Sequence, residues 1–160
     1  MNPPLLVILM GSKADLAHAQ AVAKAAENFG LECSLHIGSA HKTPEHVLHL
    51  LHRFEADPRP KVYITIAGRS NALSGFTDAA VSSPVIACPP PSETFGGADI
   101  YSSLRMPSGV APAVVLDPAN AALLAAKIFA LSDPVLREKV QNFQRNQAEK
   151  ILQDETDLQA

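Results

Sequence analysis

Apolar residues along this chain are concentrated in five short runs, and a segment with helical or loop character follows each run. The run at 4–10 is continuously apolar, which is typical of a strand buried on both faces. The run at 31–37 alternates apolar and polar residues, which predicts a strand exposed on one face at a sheet edge. The five predicted strands are 4–10, 31–37, 61–67, 84–88 and 112–116.

Helices are predicted between these runs from apolar spacing and capping residues. Asp15 is suited to cap the first helix, and Gly30 is suited to end it. Thr43 and Pro44 are typical of the N-cap and the first position of the second helix. The predicted helices are 16–29, 44–56, 76–82, 100–105, 118–131 and 134–155.

The alternation of strands and helices predicts an α/β fold with right-handed crossovers. We expect a single doubly wound domain over 1–160, in which helices flank both faces of a five-stranded parallel sheet. This is a flavodoxin-like architecture, with a core at 5–131 and an extra C-terminal helix at 134–155.

Composition excludes several classes of function. The net charge is -3 and no basic stripe occurs, which argues against a nucleic-acid partner. The apolar run "LLVILM" is too short to cross a bilayer and follows no cationic segment, so neither a signal peptide nor a membrane anchor is expected. Cys33 and Cys88 lie in apolar runs without metal-ligand spacing, which indicates reduced core residues of a cytoplasmic protein.

Four unusual loops follow predicted strands and should share one edge of the sheet. They are "GSKAD" (11–15), "GSAHKTPEH" (38–46), "AGRSNALSG" (67–75) and "CPPPSETFGGAD" (88–99), whereas the connections at the opposite edge are plain. In open parallel sheets, ligands bind beyond the carboxyl ends of the strands where the strand order reverses. The loops therefore predict a binding site at this edge.

The loop at 38–46 combines groups suited to a phosphate and to proton transfer. Ser39 and the backbone before Pro44 offer donors at a helix N-terminus, and Lys42 adds a positive charge. His41 precedes the helix, and an imidazole titrates near neutral pH, so it is a candidate base. The alternative is a solvated loop histidine.

The other loops carry weaker signals. Gly11 and Ser12 suit an anion, but a plain helix cap by Asp15 explains them equally well. Neither a Walker sequence nor a GxGxxG motif follows any strand. The loop at 67–75 offers Arg69 among small polar residues, or is simply a long turn with an exposed cation. The loop at 88–99 pairs stiff prolines with Gly-Gly, which is typical of a flap over a site.

The remaining histidines indicate a polar helix surface. His46, His49 and His52 step by threes along the second predicted helix. A metal site is not expected, because no Cys, Asp or Glu completes a ligand set around them.

Six motifs, in order over about residues 5–131, resemble the phosphoribosylaminoimidazole carboxylases of purine biosynthesis, the PurE family. They are "GSKAD", "SAHKTPEH", "AGRSNALSG", "ACPPP", "SSLRMPSG" and "NAALLAAKIFAL". The resemblance implies a lyase that carboxylates 5-aminoimidazole ribonucleotide (AIR) at carbon 4, reversibly, to give 4-carboxy-AIR (CAIR). Lys42 stands where the mutase branch usually has Arg, and Ala72 and Ser74 stand where that branch has His and Pro. The chain is therefore similar to the class II branch, which uses carbon dioxide directly.

Two alternatives remain open. One is the class I mutase, which moves a carboxylate from the N5 amine to carbon 4. The more distant one is a non-catalytic, phosphate- or nucleotide-binding module of flavodoxin type. A phosphoacceptor receiver would need an Asp after the third strand, where Gly68 and Arg69 stand, and a flavin carrier would need aromatic loop residues.

The resemblance also implies residue roles. His41 would be the general acid-base, Asp15 would accept hydrogen bonds from the ribose, and Lys42 would pair with the 5′-phosphate. Further substrate contacts would come from Ser12 and Ser39, and the backbone could approach closely at Gly11. The carbon dioxide pocket would be bordered by Gly68, Arg69, Ser70 and Asn71.

The resemblance implies further properties of the whole protein. Ala14 departs from the family pattern, which has a serine there, and this affects affinity more than chemistry. No metal, biotin or ATP is expected as a cofactor, and the substrates are AIR and carbon dioxide. Family members form homo-oligomers, and we expect an octamer or a tetramer.

Overall fold

The computed structural model describes residues 3–159 and contains one five-stranded parallel sheet. The strand order is β2-β1-β3-β4-β5, which is the order of flavodoxin-like folds, the architecture expected from the sequence. Every neighbouring pair is parallel. The strands are β1 (Leu5–Met10), β2 (Glu32–Ile37), β3 (Lys61–Ile66), β4 (Val85–Ala87) and β5 (Ala113–Val114).

Within residues 3–159, six α-helices connect or follow the strands. Two 3₁₀ segments, Lys13–Asp15 and Thr94–Ile100, precede α1 and α4 respectively. The helices are α1 (Leu16–Glu27), α2 (Pro44–Glu55), α3 (Ala72–Ala80), α4 (Tyr101–Leu104), α5 (Pro118–Phe129) and α6 (Pro134–Gln159).

The core consists of two apolar layers, one on each face of the sheet. Every residue of β1 is buried, as its continuous apolar run predicted, because helices cover both of its faces. One layer packs α1 and α5 against alternate strand residues such as Leu6 and Ile64. The other layer packs α2 and α3 against residues of the opposite parity, such as Val7 and Tyr63. β2 pairs with β1 alone, which confirms the prediction of an edge strand.

The predicted elements all exist, but several boundaries differ. The helix predicted at 76–82 is α3 and begins at Ala72, because the Asn71 side chain accepts a hydrogen bond from the Ser74 N–H and caps it. β4 and β5 are shorter than predicted, with three and two residues. The C-terminal helix is longer than predicted and ends at Gln159.

α6 packs on the domain through its first turns only. Leu136 and Val140 are its buried residues, whereas Ile151, Leu152 and Leu158 are exposed. Across residues 3–159, none of the helices combines the length and apolar character needed to span a membrane.

Candidate active site

The chain leaves β1 toward β2 on one side of the sheet and adds β3, β4 and β5 on the other side. The strand order therefore reverses between β1 and β3, and a cavity of about 390 Å³ lies beyond the carboxyl ends of these strands. Its size suits a small-molecule ligand. Its lining comes from all four loops that the sequence singled out and includes Gly11, Ser12, Asp15, Ser39, His41, Lys42, Gly68, Arg69 and Ser70.

Two hydrogen bonds between Ser12 and Asp15 hold the loop after β1. The Asp15 Oδ2 atom accepts hydrogen bonds from the Ser12 backbone N–H at 3.2 Å and from the Ser12 hydroxyl at 3.3 Å. Asp15 stands at the predicted N-cap position of α1, but its side chain accepts from Ser12 and makes no capping hydrogen bond to α1. Ala14 is exposed and lines the cavity, so a side chain there would face a ligand.

The loop after β2 is folded against the start of α2. The Ser39 N–H donates to Thr43 Oγ1 at 3.0 Å, and the Lys42 N–H donates to the Ser39 hydroxyl at 3.2 Å. Gly38 makes this close packing feasible, since a Cβ atom there would lie 2.7 Å from Val47 Cγ2. The turn places His41 and Lys42 in the cavity lining with exposed side chains.

Of the four residues predicted from the loop after β3, three line the cavity and the fourth does not. Gly68, Arg69 and Ser70 line it, and Arg69 has a left-handed backbone with φ of 59°. Asn71 is 3% exposed and lies outside the lining. Its amide nitrogen donates to the hydroxyls of Ser74 at 2.7 Å and Ser103 at 2.9 Å. Asn71 is thus a buried part of the support beneath the loop.

The loop after β4 covers one side of the cavity with Pro90, Pro91, Ser92 and Thr94. Three successive residues, 95–97, have positive φ, and Phe95 among them has a side chain that is 82% exposed. Left-handed backbone is costly for a bulky residue, so this stretch is strained. The Ser92 hydroxyl donates to Asp99 Oδ2 at 3.0 Å and ties the two ends of the strained stretch together.

A second, mostly apolar cavity of about 310 Å³ adjoins the first. The two cavities share Ala67, Gly68 and Arg69 on one side and 90–92 on the other. Pro89, Ile100 and Leu116 complete the apolar lining. Arg69 therefore stands at the boundary between a polar and an apolar space.

Two cations in the lining have no acidic partner among the described residues. Among residues 3–159, the ion pairs are those of Arg59 with Glu32 and with Asp57, far from this edge of the sheet. Lys42 and Arg69 are therefore free to pair with a ligand, and both phosphates and carboxylates form strong charge-assisted hydrogen bonds with such groups. The arrangement suits an anionic ligand with a titratable group, His41, beside it.

The loops that line the cavity could be identified from the sequence, whereas several of their lining residues could not. The three histidines of α2, His46, His49 and His52, are exposed as predicted. The lining also includes residues that were not singled out, because small and apolar residues carry no chemical signal of their own. These additional residues are Ala40, Ala67, Leu73, Pro90, Pro91, Ser92 and Thr94. No group of three or more His, Cys, Asp or Glu residues suited to a metal ion occurs within 3–159.

Fold and cavity together define a doubly wound α/β protein with a small-molecule site at its switch point, and comparison with known proteins narrows the class. Residues 5–150 match the family model described as AIR carboxylase. A phosphoribosylaminoimidazole carboxylase of Treponema denticola is 57% identical over 155 residues, which cover 97% of this chain and 98% of the relative. The enzyme of the same name from Archaeoglobus fulgidus is 54% identical, covering 95% of this chain and 83% of the relative.

A solved structure agrees with these relatives. The crystal structure of Treponema denticola PurE superposes with a TM-score of 0.97 at 57% identity, and the match covers 98% of this chain and 99% of that one. The chain therefore belongs to the AIR carboxylase family of enzymes.

Proposed function

We propose that this enzyme carboxylates AIR at carbon 4 with carbon dioxide to give CAIR, and that it catalyses the reverse decarboxylation. The observation that carries the proposal is the presence of His41, Lys42 and Arg69 in one cavity at the switch point of an AIR carboxylase fold. A base and two unpaired cations match a reaction that moves one proton, on a substrate that carries a phosphate and gains a carboxylate.

In this proposal, the nucleotide is held by groups remote from the reacting carbon. Lys42 pairs with the 5′-phosphate beside the N-terminus of α2, where helix amides also favour an anion. Asp15 accepts hydrogen bonds from the ribose hydroxyls, while Gly11, Ser12 and Ser39 complete the contacts. Binding energy from these groups positions the imidazole for reaction.

The chemical step needs no covalent intermediate. Carbon 4 of the amino-imidazole is an enamine-type nucleophile, and its electron pair forms the new bond to the carbon of carbon dioxide. Carbon 4 then carries both hydrogen and carboxylate, and His41 removes that proton so that the ring electrons restore aromaticity. In the reverse direction the same imidazole returns the proton to carbon 4 and carbon dioxide leaves.

The apolar cavity beyond Arg69 suits the second substrate. Carbon dioxide is small, uncharged and apolar, and the mostly apolar cavity that includes Pro89, Ile100 and Leu116 would hold it beside the nucleotide. Carbon dioxide would then be converted to the carboxylate of CAIR at the boundary formed by Gly68 and Arg69. The Arg69 guanidinium would stabilise the negative charge of that carboxylate.

Direct use of carbon dioxide is favoured over the mutase reaction by the loop after β3. A mutase-type loop has proline where Ser74 stands, and a proline has no N–H to donate to Asn71 Oδ1. The residue that caps α3, Asn71, is the last residue of the pattern "AGRSN", which resembles the direct carboxylases. Ala72 also stands where the mutase loop has its histidine.

An absorbance assay with two substrates tests the proposal. AIR with bicarbonate as the carbon dioxide source is offered in one reaction, and the N5-carboxylated nucleotide in buffer depleted of carbon dioxide is offered in the other. We expect turnover of the first only. Turnover of the second only makes the chain a mutase, and saturable nucleotide binding without turnover makes it a binding module.

The proposal also covers the location and the oligomeric state of the protein. We propose a cytoplasmic homo-oligomer, octameric or tetrameric, in which the exposed apolar residues of α6 (Ile151, Leu152 and Leu158) pack against other copies. The strained segment 95–97 would act as a lid over bound nucleotide. Light scattering of the purified protein measures the oligomer mass, and a monomer would refute this part.

A further inference from the structure

Two adjacent serines of α4 contact the loop that carries Arg69, although they lie more than 30 positions along the chain from it. The Ser102 hydroxyl accepts a hydrogen bond from the Asn71 N–H at 2.9 Å. The same hydroxyl has two carbonyl oxygens as acceptors for its own proton. They are that of Asp99 at 2.7 Å and that of Arg69 at 3.3 Å. The Ser103 hydroxyl accepts from the Asn71 side-chain amide at 2.9 Å.

These contacts form one buried polar network beneath the loop. Asn71, Ser74, Thr65 and Ser103 are all nearly inaccessible, with exposed fractions of 3% or less. Ser74 connects Asn71 to the Thr65 hydroxyl of β3, at 2.8 Å. The network therefore fixes α4 and the loop to the central sheet, and loss of one hydroxyl leaves a buried N–H without a partner.

The network acts on the residue whose backbone is strained. Arg69 is a non-glycine residue with φ of 59°, a conformation that persists only where neighbouring contacts enforce it. Ser102 contacts the backbone on both sides of Ser70, at the Arg69 carbonyl and at the Asn71 N–H. This backbone conformation sets where the Arg69 side chain enters the boundary between the two cavities.

We propose that Ser102 and Ser103 are positioning residues that hold the Arg69 guanidinium where the carboxylate of CAIR forms. They act through Asn71 and the Arg69 backbone and do not touch substrate. The inference rests on the proposed function and deepens it, since it assigns a role in carboxylate recognition to the motif "SSLRMPSG".

A double-mutant cycle separates positioning from a general structural effect. The variants are Ser103→Ala, Arg69→Ala and the double variant. The readouts are kcat and KM for CAIR in the decarboxylation direction and the KM for AIR in the carboxylation direction. We expect Ser103→Ala to raise the KM for CAIR roughly tenfold and to change the KM for AIR much less, because AIR has no carboxylate. In the Arg69→Ala background the same substitution should have no further effect on the KM for CAIR.

Ser34→Ala is the matched control. Its hydroxyl is half-buried and bonded to His36 Nε2 at 2.8 Å, but it lies on β2 and outside both cavity linings. We expect this variant to have parental KM values for both nucleotides. If Ser103→Ala does not fold, Ser102→Ala, at a half-buried position, enters the same cycle.

The outcomes distinguish the positioning role of the serines from the carboxylase function on which it rests. Equal losses for AIR and CAIR, or additive effects of Ser103→Ala and Arg69→Ala, overturn the positioning role while the carboxylase function stands. A parent protein that neither turns over nor binds CAIR overturns both. A selective loss for CAIR that disappears without Arg69 supports the inference.

Discussion

The Nε2 atom of His18 lies 3.4 Å from the Sγ atom of Cys88, and this contact joins α1 to the end of β4 beside the cavity. Burial is the main influence on both groups: it lowers the pKa of His18 and raises the pKa of the Cys88 thiol to about 12. Both are therefore neutral at pH 7, and the contact is a thiol–imidazole hydrogen bond and not an ion pair. The contact joins the first turn of α1 to the start of the loop after β4.

Both cysteines should react slowly with thiol reagents in the folded protein. Burial raises the pKa of Cys33 from 9.0 to about 11, which lowers its thiolate fraction at neutral pH roughly a hundredfold, and Cys88 is more strongly affected. Titration with a chromogenic disulfide should detect no rapidly reacting thiol in the native protein and two in guanidinium. A rapidly reacting native thiol would contradict the burial of these side chains.

Replacement of the candidate base should abolish turnover and leave binding intact. His41→Asn keeps a hydrogen-bonding side chain but cannot accept the proton from carbon 4, so we expect kcat to fall about 10²- to 10⁴-fold. Calorimetry should show AIR affinity within a few-fold of the parent. His49→Asn, at an exposed position of α2 outside the cavity, is the control and should be fully active. Near-parental kcat in His41→Asn would remove the assignment.

Lys42 should contribute to binding more than to chemistry. Loss of a charge-assisted hydrogen bond to phosphate in Lys42→Ala should raise the KM for AIR roughly 10- to 100-fold, with kcat nearly unchanged. The KM of the parent should rise with salt, since the lysine is exposed, and the KM of the variant should respond less. Lys24→Ala, on the exposed surface of α1, should behave like the parent. An effect on kcat alone would place Lys42 in the chemical step.

The fold could be predicted from sequence because its signals are local and repeated. Continuous and alternating apolar runs distinguished β1 from β2, and capping residues located the start of α2 at Pro44. Right-handed crossovers then implied a parallel sheet, in which the unusual loops share one edge.

The buried hydrogen-bond network beneath the loop after β3 could not be predicted in the same way. Asn71 was expected at the carbon dioxide pocket, but its amide is satisfied by Ser103, a residue 32 positions away that no local pattern connects to it. Asn71 also carries an N-cap signal, which accounts for the earlier start of α3.

Ala14→Ser should improve affinity. The position is exposed in the cavity lining, and a serine restores the hydroxyl that the family pattern has there. One additional neutral hydrogen bond to the nucleotide should lower the KM for AIR about 2- to 10-fold without a change in kcat. Ala17→Ser, at an exposed position on α1 outside the cavity, should leave the KM unchanged. An unchanged KM in Ala14→Ser would show that the nucleotide does not reach this part of the lining.

At the opposite edge of the sheet, the Glu55 carboxylate accepts hydrogen bonds from several elements. The Tyr63 and Ser83 hydroxyls donate to Oε1 at 2.9 Å, and the Ser82 N–H and hydroxyl donate to Oε2 at 3.2 Å. Burial alone would raise the pKa of Glu55, but these donors together outweigh it and hold the pKa below its ordinary 4.5. The carboxylate therefore ties α2, β3 and the segment before β4 together in its ionised form.

Stability should consequently depend on Glu55 in a pH-dependent way. A folded-state pKa below the unfolded value contributes stability that is fully present above about pH 4.5 and is lost as pH falls through the folded pKa. Glu55→Gln should lower the free energy of unfolding by about 2 kcal/mol at pH 7, because strong bonds to a charged acceptor become neutral ones. Urea unfolding at pH 7 and near pH 3 should show this difference shrinking in acid.

Two further variants test whether the loss of stability in Glu55→Gln comes from the ionised carboxylate. Tyr63→Phe removes the donor at the fully buried end, so its destabilisation and that of Glu55→Gln should be less than additive. Glu138→Gln, on the exposed surface of α6, should change stability little at either pH. A Glu55→Gln deficit that is equal at both pH values would mean that packing, and not the ionised carboxylate, links these elements.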